Sequence, residues 1–162
     1  MRRVLDAWFA PAPAERLAAM RILVGVFTLV YCAVQLPLWL ADTQFVARDF
    51  RPLGIVRLLD GPLAHGGRLA MVGVTVALAV AFTLGLWHRW LAPVFALALL
   101  VTLTYRNSWG MPFHTENLLV LHVLVLAIVP AADAWSVDRR GRGGAAPGER
   151  YGWPLRVMAL VT

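Results

Sequence analysis

The sequence predicts an all-α fold, a polytopic transmembrane helix bundle of four spans and the start of a fifth. Two observations carry this. Of its 162 residues, 60% are hydrophobic, against roughly half in a soluble domain. The apolar residues are also bunched into four runs with few or no charges, 17–41, 69–86, 91–105 and 117–130. A spanning helix needs about 20 such residues, with roughly 17 to 25 tolerated. The first two runs qualify directly, and the other two qualify with their flanking Trp, Asn, Thr and Ala.

The elements follow in order. In "MRRVLDAWFAPAPAER", Val4, Leu5, Trp8 and Phe9 fall at helical spacing, which predicts a short interfacial helix broken by Pro11 and Pro13. The first apolar run exceeds the roughly 7 to 15 residues of a signal-peptide core, so it is a span. Arg21 lies one turn inside it, about 6 Å from its start. Its long stem is expected to snorkel to the interface, the alternative being an intramembrane charge facing a cavity. Cys32, in "LVYCAVQL", has no second cysteine to pair with and acts as a small apolar side chain. The connection 42–68 is too long for a mere link, and "LGIVRLL" within it is expected to form a half-buried helix on the bundle mouth. The run "LAMVGVTVALAVAFTLGL" has no polar stripe at helical period, which argues against a soluble bundle. Its two threonines can bond their own backbone. The minimal link "WHRW" makes the second and third spans an antiparallel hairpin, with tryptophans at headgroup depth. Residues 139–153 read as an exposed Gly/Arg-rich loop. "WPLRVMALVT" then opens a helix that covers only some 13 Å of a roughly 30 Å core. The expectation is a single transmembrane domain, 1–162, incomplete at its carboxyl end.

Charge is one-sided. The formal net charge is +6, and every basic residue is an arginine. These sit at helix ends and in connections rather than on one contiguous face, so nucleic acid is not the expected partner; the lipid bilayer is. An inside amino terminus places Arg2, Arg3, Arg16, Arg89, Arg139, Arg140, Arg142 and Arg150 on the inner side. Arg48, Arg51, Arg57, Arg68 and Arg106 then lie outside, and the excess predicts a cytoplasmic amino terminus.

The chemistry-bearing stretch is "FHTENLLVLHVLVLAIVPAADAWSVD", residues 113–138. At about 100° per residue, His114, Asn117 and His122 fall within one arc of roughly 140° and can face one cavity. The two histidines are about 12 Å apart along the axis, unlike the i, i+4 pair of a helical zinc site, so no metal is expected. No GxSxG element or phosphate loop is present. A neutral imidazole at membrane depth can move protons, or it can simply bond to a neighbouring helix. The second reading suits His122 better, while for His114, beside Glu116, Asn117 and the Trp109-Gly110 turn, both stand.

The order "LGLWHRW", "YRNSWGMPFHTENLL" and "DAWSVDRR" resembles the HTTM domain, the membrane part shared by vitamin K-dependent γ-carboxylase and its bacterial relatives. That family pairs an LGL-x-x-R hairpin with a Trp/Asn/His turn that opens the next helix. The helix ends in an aspartate followed by an aromatic-Ser-Val/Leu-Asp motif, here Asp133, Trp135, Ser136, Val137 and Asp138. The motifs cover residues 85–138. The resemblance implies a membrane enzyme in which a reduced naphthoquinone of the vitamin K or menaquinol type is oxygenated to give a strong base. It implies catalytic roles for His114 and Asn117, and a substrate-binding mouth at Arg106 and Trp109 of a cavity between the third and fourth spans. It also implies a bacterial plasma membrane. This sequence departs from the family in having no lysine, the residue that serves as base in true carboxylases. The other class of function is a non-enzymatic membrane partner or immunity-type subunit on the same fold.

Overall fold

The computed structural model describes residues 8–41, 45–110, 114–141 and 145–162, and all side chains within them except those of residues 114 and 115. Five α-helices are described: α1 Ala14–Leu40, α2 His65–Leu84, α3 His88–Asn107, α4 His114–Ile128 and α5 Glu149–Val161. No β-strand occurs among the described residues, and a single bridge joins Ala12 to Gly148. The interfacial helix expected over 4–9 lies mostly outside the described residues.

Each helix packs against the next, and α4 and α5 both return to α1, closing the bundle. The chain therefore alternates between two ends. The proximal end holds the start of α1, the α2–α3 turn and the end of α4; the distal end holds residues 45–64 and the residues 108–110 that follow α3.

Among the described residues three helices, α1, α2 and α3, are long and apolar enough to cross a membrane. Their outward faces carry Leu23, Val26, Phe27, Val30, Val34, Val74, Val80, Val94 and Leu97, all exposed. Arg21, Arg68, Thr75, Thr102 and Glu116 are buried instead. A water-soluble bundle would aggregate through so large an apolar surface, so lipid is the solvent this surface suits. The expected fourth span is shorter than the others. α4 has 15 residues, below the length of a full crossing. It stops at Ile128 because Pro130 lacks an N–H and disfavours helical backbone at the residue before it.

Small and hydroxylated residues bring the helices together. A side chain at Gly25 would overlap that of Thr83, so α1 and α2 cross closely there. Thr75 and Thr83 bond back to Met71 and Ala79, and Thr75 also meets Thr102 of α3 at 2.8 Å. Around these sits a core of Leu17, Phe82, Phe95, Leu99, Val123 and Leu126.

Two expectations about the ends change. Arg21 does not snorkel: it is fully buried, because α1 begins at Ala14 and carries it two turns inside the helix. The segment expected as an exposed loop, 139–153, is already helical from Glu149, and Tyr151 within it is fully buried. The tyrosine hydroxyl donates to Asp133 at 2.6 Å, which draws the start of α5 onto the turn after α4. The "LGIVRLL" piece does pack on the bundle mouth against α3, as a 3-10 helix, Gly54–Leu58, with Val56 buried.

Candidate functional site

Polar side chains collect at both ends of the bundle. At the proximal end those that clasp the two turns are tied to backbone. The α2–α3 turn places Gly85 at φ 65° and Trp87 at φ 43°, and the turn after α4 places Trp135 at φ 46°. Asp138 accepts hydrogen bonds from the backbone N–H of Trp87 at 2.9 Å and of His88 at 3.1 Å, so it satisfies the free donors that open α3. Arg21 donates to the carbonyl of Trp135 at 2.6 Å. A side chain on Gly85 would overlap Arg21 and Ser136, so glycine is required by space as well as by φ. Two non-glycine residues with positive φ are costly, and these bonds hold both turns in place. The segments "LGLWHR" and "DAWSVD", some fifty residues apart in sequence, are thus one interlocked unit.

The distal end is built differently. Arg106, near the end of α3, donates to Glu116 of α4 and to the hydroxyl of Tyr31 of α1. Tyr31 in turn donates to Glu116, and Gln35 accepts from Arg106 at 3.4 Å. Three helices therefore meet through side chains alone. Glu116 is only 2% exposed. A charge so placed in a bundle is tolerable only when paired. One carboxylate oxygen, Oε1, carries the pair, whereas Oε2 is buried with no partner among the described residues.

Beside this cluster a cleft of about 330 Å³ opens between α3 and α4. Leu100, Leu103, Val120, Leu121 and Leu124 form its walls, and Asn107, Glu116 and Asn117 its distal end. Asn117 is exposed to it. No family model, curated protein or solved structure matches the chain. The chemistry must therefore be read from the geometry.

Of the residues expected at a site, Asn117 lines this cleft. His114 opens α4, and its side chain lies outside the described residues. Arg106 turns away from the cleft toward α1. Trp109 lies under the 45–50 segment, its ring centroid 5.0 Å from Phe45, 4.6 Å from Phe50 and 5.0 Å from Tyr105, and its indole N–H donates to the carbonyl of Val46. His122 is separated from Asn117: it borders an apolar groove between α1 and α4 and bonds to Leu118 of its own helix at 2.8 Å. The arc of 140° is wide enough to straddle two neighbouring helices, so Asn117 and His122 do not share one cavity. No group of three or more metal-ligating side chains occurs among the described residues.

Sequence reasoning missed Tyr31, Gln35 and the central role of Glu116. The signal was present in "LVYCAVQL", where Tyr31 and Gln35 stand four apart, on one face of an otherwise apolar helix.

Proposed function

We propose that this chain is an integral membrane protein of the HTTM class whose distal cluster and α3–α4 cleft serve a reduced naphthoquinone. The observation that carries the proposal is the buried Glu116, held by Arg106 and Tyr31 through one oxygen and free among the described residues at the other, beside an apolar cleft. The interlocking of "LGLWHR" with "DAWSVD" supports the class, since these are the stretches that carry the resemblance.

The cleft fits the ring chemically. Leucine and valine walls suit a flat apolar body, and three polar side chains at one end suit oxygen at its rim. When bound, such a quinol supplies two-electron redox chemistry and an acidic hydroxyl. Asn117 would orient that hydroxyl, and Glu116, with His114 two residues earlier in the chain, would accept its proton. Arg106 and Tyr31 keep the Glu116 carboxylate positioned. No lysine is present among the 162 residues, and arginine does not readily deprotonate. The lysine that serves as base in true carboxylases therefore has no counterpart among these residues, and the proposed chemistry stops at proton transfer from the quinol.

The proposed topology has four crossings, α5 beginning a fifth, and a cytoplasmic amino terminus in a bacterial plasma membrane. α4 is fastened to α3 at both levels, Glu116 to Arg106 and the carbonyl of Leu126 to His88, which supports a helix that traverses the same layer. In a Cys32→Ala background, Asp60→Cys should react with an impermeant reagent in intact cells and Glu149→Cys should not. The reverse pattern would overturn the orientation. For the site, menaquinol binding is measured by quenching of tryptophan fluorescence. Glu116→Gln and His114→Ala should each weaken it, and unchanged binding in both would remove the quinol reading.

A second reading, a non-enzymatic partner subunit, is favoured by one fact. The Arg106–Glu116–Tyr31–Gln35 set joins α1, α3 and α4 and is therefore a structural fastening whatever else it does. Full stability loss in Glu116→Gln with no ligand signal in the parent protein would select this reading.

A further inference from the structure

Apart from the distal site, the proximal end contains a cleft of about 680 Å³ between the start of α3, the end of α4 and the start of α5. Three arginines from separate elements line it: Arg89 in the first turn of α3, Arg139 in the 3-10 helix Val137–Arg139, and Arg150 in the first turn of α5. Two aspartates are also present, and both are occupied. Asp138 has each oxygen on a backbone N–H of α3. Asp133 is shared by the Tyr151 hydroxyl and Arg150 at 3.1 Å, with Arg139 more distant at 3.9 Å. The cleft thus carries three cations against two anions, and the excess positive groups are the ones left with open hydrogen-bonding capacity.

His88 supplies a second, independent observation. It lines the same cleft, is 5% exposed, and its Nδ1 is buried with no partner among the described residues. Its Nε2 lies 3.2 Å from the carbonyl of Leu126. A carbonyl only accepts, so Nε2 carries the proton and neutral Nδ1 is an acceptor. The wall of the cleft therefore asks for a hydrogen-bond donor, while its rim asks for an anion. Trp87, Trp90 and Trp135, all more than 60% exposed, flank this end, and exposed tryptophans mark the headgroup level of a bilayer.

We propose that this cleft binds the headgroup of an anionic phospholipid that combines a phosphate diester with a free hydroxyl, as phosphatidylglycerol does. Arg89 and Arg139 take the phosphate, for which the guanidinium fork is suited. The headgroup hydroxyl, directly or through a water, supplies the donor that His88 lacks. This site is separate from the distal cleft and does not depend on the quinol reading.

The test uses the full chain reconstituted in phosphatidylcholine vesicles containing a small fraction of either brominated phosphatidylglycerol or brominated phosphatidylcholine. Tryptophan quenching by the anionic lipid should exceed that by the neutral lipid at equal mole fraction. Each arginine removed from the cleft, as Arg89→Gln or Arg139→Gln, should lower the relative affinity about fivefold. The distal pair Arg48→Gln and Arg57→Gln should leave the excess intact. If Arg139→Gln does not fold, Arg89→Gln alone carries the test, because its guanidinium lies over the Trp90 ring at the surface. Equal quenching by the two lipids would overturn the proposal, as would an excess lost equally in the distal variants, which would mark a general charge effect. Loss of the excess on adding inorganic phosphate at constant ionic strength would reassign the site to free phosphate.

Discussion

The two ends of this bundle use charge in opposite ways. At the proximal end, Asp138 and Arg21 bind backbone atoms, and the groups they hold, the N–H donors of α3 and the carbonyl of Trp135, have fixed positions. At the distal end, Arg106, Glu116, Tyr31 and Gln35 bind one another. A charge spent on backbone fixes a turn and has no freedom to react. A charge held by other side chains can exchange partners and protons, which is why the distal end is the better place to look for chemistry. The comparison predicts that substitutions in the proximal clasp of Gly85, Arg21 and Asp138 act on folding, whereas those in the distal cluster divide between stability and ligand response.

The largest effect should come from Gly85→Ala. Left-handed backbone at a non-glycine residue costs about 1–3 kcal/mol, and displacing Arg21 from its buried place adds a term of about 3 kcal/mol or more. The sum is comparable to the whole stability of a small domain, so folded protein should be lost on size exclusion in detergent. Recovery of normal yield would show that the proximal clasp is dispensable.

Next is Glu116→Leu, which leaves Arg106 without its carboxylate and should cost about 3 kcal/mol in thermal or denaturant unfolding. Adding Arg106→Leu should recover much of that loss, because no charge is then left uncompensated. A double variant less stable than either single one would mean that the pair is not coupled.

Asp138→Ala should follow at about 2 kcal/mol, the upper range for a lost helix cap. The decisive readout is hydrogen exchange, which should rise at the amides of Trp87 and His88 with little change near Arg106. The smallest effect belongs to the bundle middle. Thr102→Val removes the bond to Thr75, worth about 0.6 kcal/mol within a membrane bundle, and should shift unfolding slightly with quinol binding unaltered.

Much of the helical organisation was legible because it depends on local pattern. The hairpin at "WHRW" and the run 69–86 follow from hydropathy and spacing, and α2 and α3 fall close to the expected positions. The start of α1 was set too late, at 17 rather than at Ala14, because Ala14, Glu15 and Arg16 read as an approach to the apolar run. That shift changed Arg21 from an interfacial residue into a buried one. The site was less legible because its members come from three helices, with Tyr31 and Arg106 separated by 75 residues. Sequence proximity drew attention to His114 and Trp109 beside Glu116, while the partners that hold Glu116 lie on α1 and α3.

The bond from Arg21 to Trp135 spans 114 residues, and this imposes an order on biogenesis. At roughly 5–20 residues per second, on the order of ten seconds pass between synthesis of the arginine and of its acceptor. During that interval α1 must enter the membrane, or wait beside the insertion machinery, with a guanidinium that has not yet met its carbonyl. The first helix therefore cannot take its final contacts before residue 135 is made, and a ribosome stalled before the "DAWSVD" codons would leave a nascent chain whose Arg21 still lacks its acceptor.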